Sequence, residues 1–110
     1  MNYVDLFSLL NHKDRFAMLY LLSNRELCIC ELEQLLGAKQ YQISKQMRIL
    51  KDANLVKVRK EDKYHYYSLV LNDDKVADLL TYMQNRPDDL MNDLQNKLRV
   101  LDENPIVCER

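Results

Sequence analysis

The stretch that most constrains this chain runs from Glu26 to Leu69, where two helical segments are followed directly by two short strand-like runs. The first segment is short, from about Cys30 to Leu36, with Leu32, Leu35 and Leu36 pointing inward. Gly37 stands where a helix ends in a left-handed residue. The second segment, from about Gln40 to Ala53, carries Ile43, Met47 and Leu50 at helical spacing. Its other faces hold Gln42, Lys45, Gln46 and Arg48. Asn54 tolerates the backbone turn into a strand of Leu55, Val56 and Val58. A charged tip at Glu61-Asp62-Lys63 leads to a second strand with Tyr64, Tyr66, Tyr67 and Leu69. Two helices joined by a short turn, the second polar and basic, with a hairpin directly after it, make a winged helix-turn-helix. The fold expected is mainly α with a small β-hairpin.

The flanks read as helices that need partners. Residues 2–10 place Val4, Phe7 and Leu10 at helical spacing, widened by Tyr3, Leu6 and Leu9. Asn11, with Asp14 three residues on, is the expected N-cap of a second helix over residues 12–22. Phe16, Leu19, Tyr20 and Leu22 form its buried face, and Ser23-Asn24-Arg25 is a turn. Beyond the wing, Asn72 or Asp73 caps a fifth helix with Val76, Leu79, Leu80 and Met83 in a stripe. Pro87 fits the first turn of a sixth helix, whose stripe is Leu90, Leu94, Leu98 and Leu101. Pro105 ends it. With 110 residues the chain fits one domain, residues 1–110, with a wing over about 55–69. The helices over about 2–10 and 73–101 are read as dimerisation helices, because a modest core gains from an interface.

Charge is distributed unevenly along the chain. Residues 39–63 hold eight bases (Lys39, Lys45, Arg48, Lys51, Lys57, Arg59, Lys60 and Lys63) against three acids, although the whole chain carries a net charge of −1. A basic block in a near-neutral chain points to a polyanion footprint on one face. On the second helix of the motif, Gln40, Gln42, Ser44, Lys45, Gln46 and Arg48 can reach base edges or phosphates. Tyr41 can stack on the DNA backbone or cap the helix. On the wing, Arg59, Lys60, Lys63 and His65 can reach phosphates or a minor groove.

The pair Cys28-x-Cys30 is the other chemical feature. Three cysteines, without a recognisable signal peptide, suggest thiols in a reducing cytoplasm and not a disulfide framework. Thiolates favour soft ions. A structural zinc site wants four ligands, and a second close pair is missing, so As(III) or Sb(III), which need two or three sulfurs, fit better than Cd, Pb or Zn. Two cysteines one apart on a regular helix diverge, so joint binding predicts an irregular or unwound first turn. Cys108 lies far along the chain and is either an uninvolved thiol, a third ligand or a redox partner. His12 and His65 read as cap-region and wing residues. No Gly-rich phosphate loop, nucleophile–base motif, organic-cofactor motif or membrane-spanning apolar run is present.

The run Glu26-Leu27-Cys28-Ile29-Cys30-Glu31-Leu32 resembles the metal-binding motif of the ArsR/SmtB family, its arsenical-resistance repressors in particular. Ile43-Ser44-Lys45-Gln46-Met47 with Asn54-Leu55 is similar to that family's recognition helix, and Arg59-Lys60 with Tyr66-Tyr67-Ser68-Leu69 to its wing. The resemblance implies a homodimer through the N- and C-terminal helices that represses an operon and leaves double-stranded operator DNA when inducer binds. It implies Cys28 and Cys30 as As(III)/Sb(III) ligands, with Gln40, Gln42, Ser44, Lys45 and Gln46 facing the major groove. Where arsenical members often carry a third cysteine, this chain has Glu33, leaving that position to Cys108, a small thiol or solvent. A thiol-redox or persulfide switch on the same fold, and an adaptor dimer that binds protein, are the competing readings.

Overall fold

Every residue from Ala17 to Leu22 is buried, and the other helices and the sheet pack around this run. The computed structural model describes residues 1–106. Along them lie α1 (Tyr3–Leu10), α2 (Lys13–Leu22), β1 (Leu27–Cys28), α3 (Ile29–Leu36), α4 (Gln40–Asp52), β2 (Val56–Glu61), β3 (Tyr64–Leu69), α5 (Asp74–Asn85) and α6 (Asp89–Glu103). The strands form one antiparallel sheet in the order β1-β3-β2. Helix α2 contacts α1, α3, α4, α6 and β3. Its buried residues join Leu32 and Leu35 of α3, Ile43, Met47 and Leu50 of α4, and Leu94, Leu98 and Leu101 of α6 in one apolar cluster. The helix-turn-helix and the wing are therefore held to a single core.

The two helices of the motif end as their sequences dictate. Gly37 closes α3 with φ 63° and ψ 29°, and its N–H donates to the Glu33 carbonyl at 2.8 Å. A Cβ added there meets nothing within 4 Å. Gly37→Ala is thus expected to cost only the left-handed backbone penalty, about 1 kcal/mol, visible as a lower denaturant midpoint with an unchanged slope. Helix α4 ends in a Schellman motif. Asn54 takes φ 61°, its N–H reaches the Lys51 carbonyl at 2.9 Å, and the Leu55 N–H reaches the Leu50 carbonyl at 3.0 Å. Leu50 and Leu55 are both buried, the apolar contact that such an ending calls for. This turn sends the chain from α4 straight into the wing.

Four details differ from the sequence reading. The N-cap of α2 is His12, whose Nδ1 accepts from the Asp14 N–H at 3.2 Å; Asn11 instead closes α1. Pro87 lies just ahead of the cap of α6, because Asp88 is the residue that accepts from the Met91 N–H, at 2.9 Å. The wing turn is only Asp62-Lys63, with Asp62 left-handed at φ 56°, so Glu61 belongs to β2. The sheet also gains β1, which pairs Leu27 with Tyr67 and Cys28 with Tyr66. On α1 only Leu6 is fully buried, whereas Tyr3, Phe7 and Val4 are 57%, 57% and 77% exposed. No helix among the described residues is long and apolar enough to cross a membrane.

Candidate functional site

Cys28 belongs to the strand, not the helix. It takes an extended conformation (φ −93°, ψ 168°) as the N-cap of α3, while Cys30 sits in the first turn. The bend between them turns both side chains to one side, and their sulfurs stand 3.1 Å apart. No unwinding of a regular helix is needed to bring them together, contrary to the expectation from i, i+2 spacing. Glu31 completes a capping box, with its carboxylate accepting from the Cys28 N–H at 3.0 Å. Burial pushes the Cys28 thiol up from its ordinary pKa, and the Glu31 carboxylate pushes the same way, opposed by the Glu31 backbone N–H. At neutral pH Cys28 is therefore a thiol that must lose its proton to become a ligand. Cys30 is disulfide-bonded in this structure. Cys108 lies outside the described residues, and among those described no third His, Cys, Asp or Glu completes a metal-holding group.

The pocket at the cysteine pair has a volume of about 260 Å³. Besides Cys28, Ile29 and Cys30 it is lined by Gln40, the first residue of α4, and by Lys63, Tyr64 and His65 at the wing turn. The sulfur pair thus shares a wall with both elements that the sequence assigns to DNA.

Of the residues expected on the DNA face, Lys39, Gln40, Tyr41, Gln42, Ser44, Lys45 and Arg48 are exposed along α4, and Arg59, Lys60, Lys63 and His65 along the wing. Gln42 has a second task, since its Oε1 accepts from the Lys39 N–H at 3.1 Å and helps to cap α4. Gln46 departs from the expectation. It is 9% exposed, and its Oε1 accepts from Arg15 Nη1 at 2.7 Å, so it faces α2 and not a groove. One turn from Gln42 and one residue before Met47, it falls on the edge of the buried stripe, and a buried amide needs a partner. Arg15 supplies it and also donates from Nε to the Leu9 carbonyl at 2.7 Å, tying α1 to α4. Sequence reading missed Arg15; a lone Arg on an otherwise apolar helix facing a polar residue of another helix was the available signal.

Residues 12–58 match the family model described as bacterial regulatory protein, arsR family. An arsenical resistance operon repressor of Bacillus subtilis is 32% identical over 80 residues, covering 72% of this chain and 74% of that protein. The chain belongs to the ArsR family. A transcriptional repressor SmtB homolog of Synechocystis sp. is 35% identical over 68 residues, 62% of this chain, and the match spans about half (52%) of that relative's length. The crystal structure of the transcriptional repressor BigR from Xylella fastidiosa aligns with a TM-score of 0.68 and 27% identity, over 77% of this chain and 85% of that one. The ArsR/SmtB resemblance and the winged-helix fold both hold, and these are regulatory proteins, not enzymes. In this ArsR-family chain the Cys-x-Cys motif lies at the junction of β1 and α3, inside the matched region.

Proposed function

We propose that this chain is a transcriptional repressor that binds operator DNA as a homodimer and leaves it when As(III) or Sb(III) binds Cys28 and Cys30. The observation that carries the reading is the pocket in which the sulfur pair meets Gln40 of α4 and Lys63–His65 of the wing. An ion bound there displaces side chains from the same surface that touches DNA. Sulfur spacing favours a pyramidal ion. With bonds of roughly 2.3 Å, a tetrahedral ion holds its sulfurs about 3.8 Å apart, and a pyramidal one with angles of about 90° holds them about 3.3 Å apart. The observed 3.1 Å is nearer the second. The Bacillus subtilis relative is named as an arsenical resistance repressor, which points the same way. Exposed Tyr3, Val4 and Phe7 on α1 and Val100 on α6 supply the apolar surface for the second copy. The whole chain then acts as one domain, with α1, α5 and α6 at the dimer interface.

Binding to a duplex from its own promoter, with and without arsenite under reducing conditions, tests this. Arsenite is expected to release the DNA, and salt-dependent binding that ignores arsenite would exclude the ion switch. The pH dependence identifies the ion class. Arsenite exchanges hydroxide for thiol, so As(OH)3 plus two thiols yields As(OH)(SR)2 and two waters, with no net proton released. A divalent ion such as Cd releases one proton per thiol. Because the Cys28 pKa is raised, Cd affinity is expected to rise by about tenfold per pH unit for each proton released until the thiol's pKa is passed. Arsenite affinity is expected to stay flat across that range.

The oxidised state of Cys30, with the Cys28 sulfur 3.1 Å away, favours a second reading, a thiol-redox switch. In that case diamide releases the DNA without arsenite, and a reductant restores binding.

A further inference from the structure

Arg59 was expected on a phosphate, yet its guanidinium is taken up within the protein. Nη2 donates to Glu26 Oε1 at 2.7 Å and Nε to Glu26 Oε2 at 3.4 Å, while Nη1 donates to Glu61 at 2.5 Å. Its plane lies over the Tyr66 ring, 4.7 Å from the centroid. All three nitrogens of the guanidinium are thus engaged, and a bidentate grip fixes orientation as well as distance. The Arg59 hydrogen bond is the main cause that holds the Glu26 carboxyl below its usual range.

Strand register gives this contact a direction. Tyr66 of β3 pairs with Cys28 on one side and with Arg59 on the other, so Cys28, Tyr66 and Arg59 form one row across the sheet. Glu26 lies two residues before Cys28, on the same chain segment as β1. The side chain of Arg59 therefore runs from β2, over β3, to the start of the strand that carries the sensing thiol. The ion pairs are about half exposed, 51% for Arg59 and 35% for Glu26, so stability alone is a poor reason for the arrangement.

We infer that Arg59 is a positioning residue that couples the cysteine pocket to the wing through the Glu26–Arg59–Glu61 fork and the Cys28–Tyr66–Arg59 row, and is not a phosphate anchor. Any shift of β1 as Cys28 takes a ligand moves Glu26, and Arg59 passes that shift to β2 and Glu61, five and seven residues respectively from where α4 hands over to the wing at Asn54. The inference rests on the proposed repressor with its inducer at Cys28 and Cys30.

Operator binding of full-length wild type, Glu26→Gln and Arg59→Gln, measured against arsenite and against salt, tests it. Both variants are expected to bind operator within a few-fold of wild type and to take up one arsenite per cysteine pair. Their arsenite-dependent release is expected to shrink about threefold or more. For Arg59→Gln the slope of log affinity against log salt is expected to match wild type. A slope smaller by about 0.9, with weaker binding, would make Arg59 a phosphate contact and overturn the inference. Release of wild-type size in both variants would overturn it equally. Wild type is the control for the underlying reading. If arsenite leaves wild type on the DNA, the inducer assignment has failed, while the salt slope still decides whether Arg59 anchors a phosphate.

Discussion

Replacing Cys28 and Cys30 together by serine is expected to leave operator affinity near the wild-type value and to remove the arsenite response entirely. Wild type should lose about 5- to 150-fold in affinity on saturation with arsenite, the usual span of coupling between two sites. The variant should lose none. Serine keeps the geometry of the pair, because Cys28 acts as N-cap of α3, a position where a hydroxyl is favoured over most groups. A fall in DNA binding before arsenite is added would mean that the sulfurs build the fold instead of reading an ion. Titration of binding by fluorescence anisotropy, under reductant, separates the two. The single variants divide the site further. Cys28 is the buried member of the pair and Cys30 the partly exposed one, so loss of response in either shows that both sulfurs contribute.

How legible this arrangement was depends on how local its causes are. Helix α4 was readable almost to the residue, because Ile43, Met47 and Leu50 keep helical spacing and Asn54 marks the stop. Gly37 was equally clear, since a lone glycine after an apolar stripe has one common use. The wing followed from its aromatic and branched residues, although the tip was drawn one residue too long. Strand β1 could not be read, because two residues show no alternation and Leu27-Cys28 become a strand only by pairing with Tyr67 and Tyr66, about forty residues on. That unread strand is also why the cysteine pair looked strained in sequence. The i, i+2 objection holds for a helix, and the chain evades it by placing Cys28 before the helix begins. Gln46 and Arg59 show the same limit from the other side. Each looked free for DNA on its own element, and each is held by a residue distant in sequence, Arg15 or Glu26.

Leu50→Ala is expected to cost the largest share of stability of any single change on the DNA-reading half, about 3–5 kcal/mol. Leu50 has no exposed surface, and it serves two structures at once. It closes the inward stripe of α4 against the core around α2, and it provides the apolar contact that the Schellman ending of α4 makes with Leu55. Loss of four buried heavy-atom neighbourhoods in a close-packed interior leaves a cavity that the surrounding helices cannot fill without shifting. A domain of this size has about 5–15 kcal/mol in total, so the variant should be marginal at low protein concentration and recover partly as dimerisation adds its own stabilisation. Urea melts at two protein concentrations check both points. Lys45→Ala on the exposed face of the same helix provides the contrast. It should melt with wild type to within about 0.5 kcal/mol and yet weaken operator binding with a shallower salt slope. If Leu50→Ala melted like wild type, the core would not be what orients α4. If Lys45→Ala kept both affinity and slope, that face would not be what meets DNA.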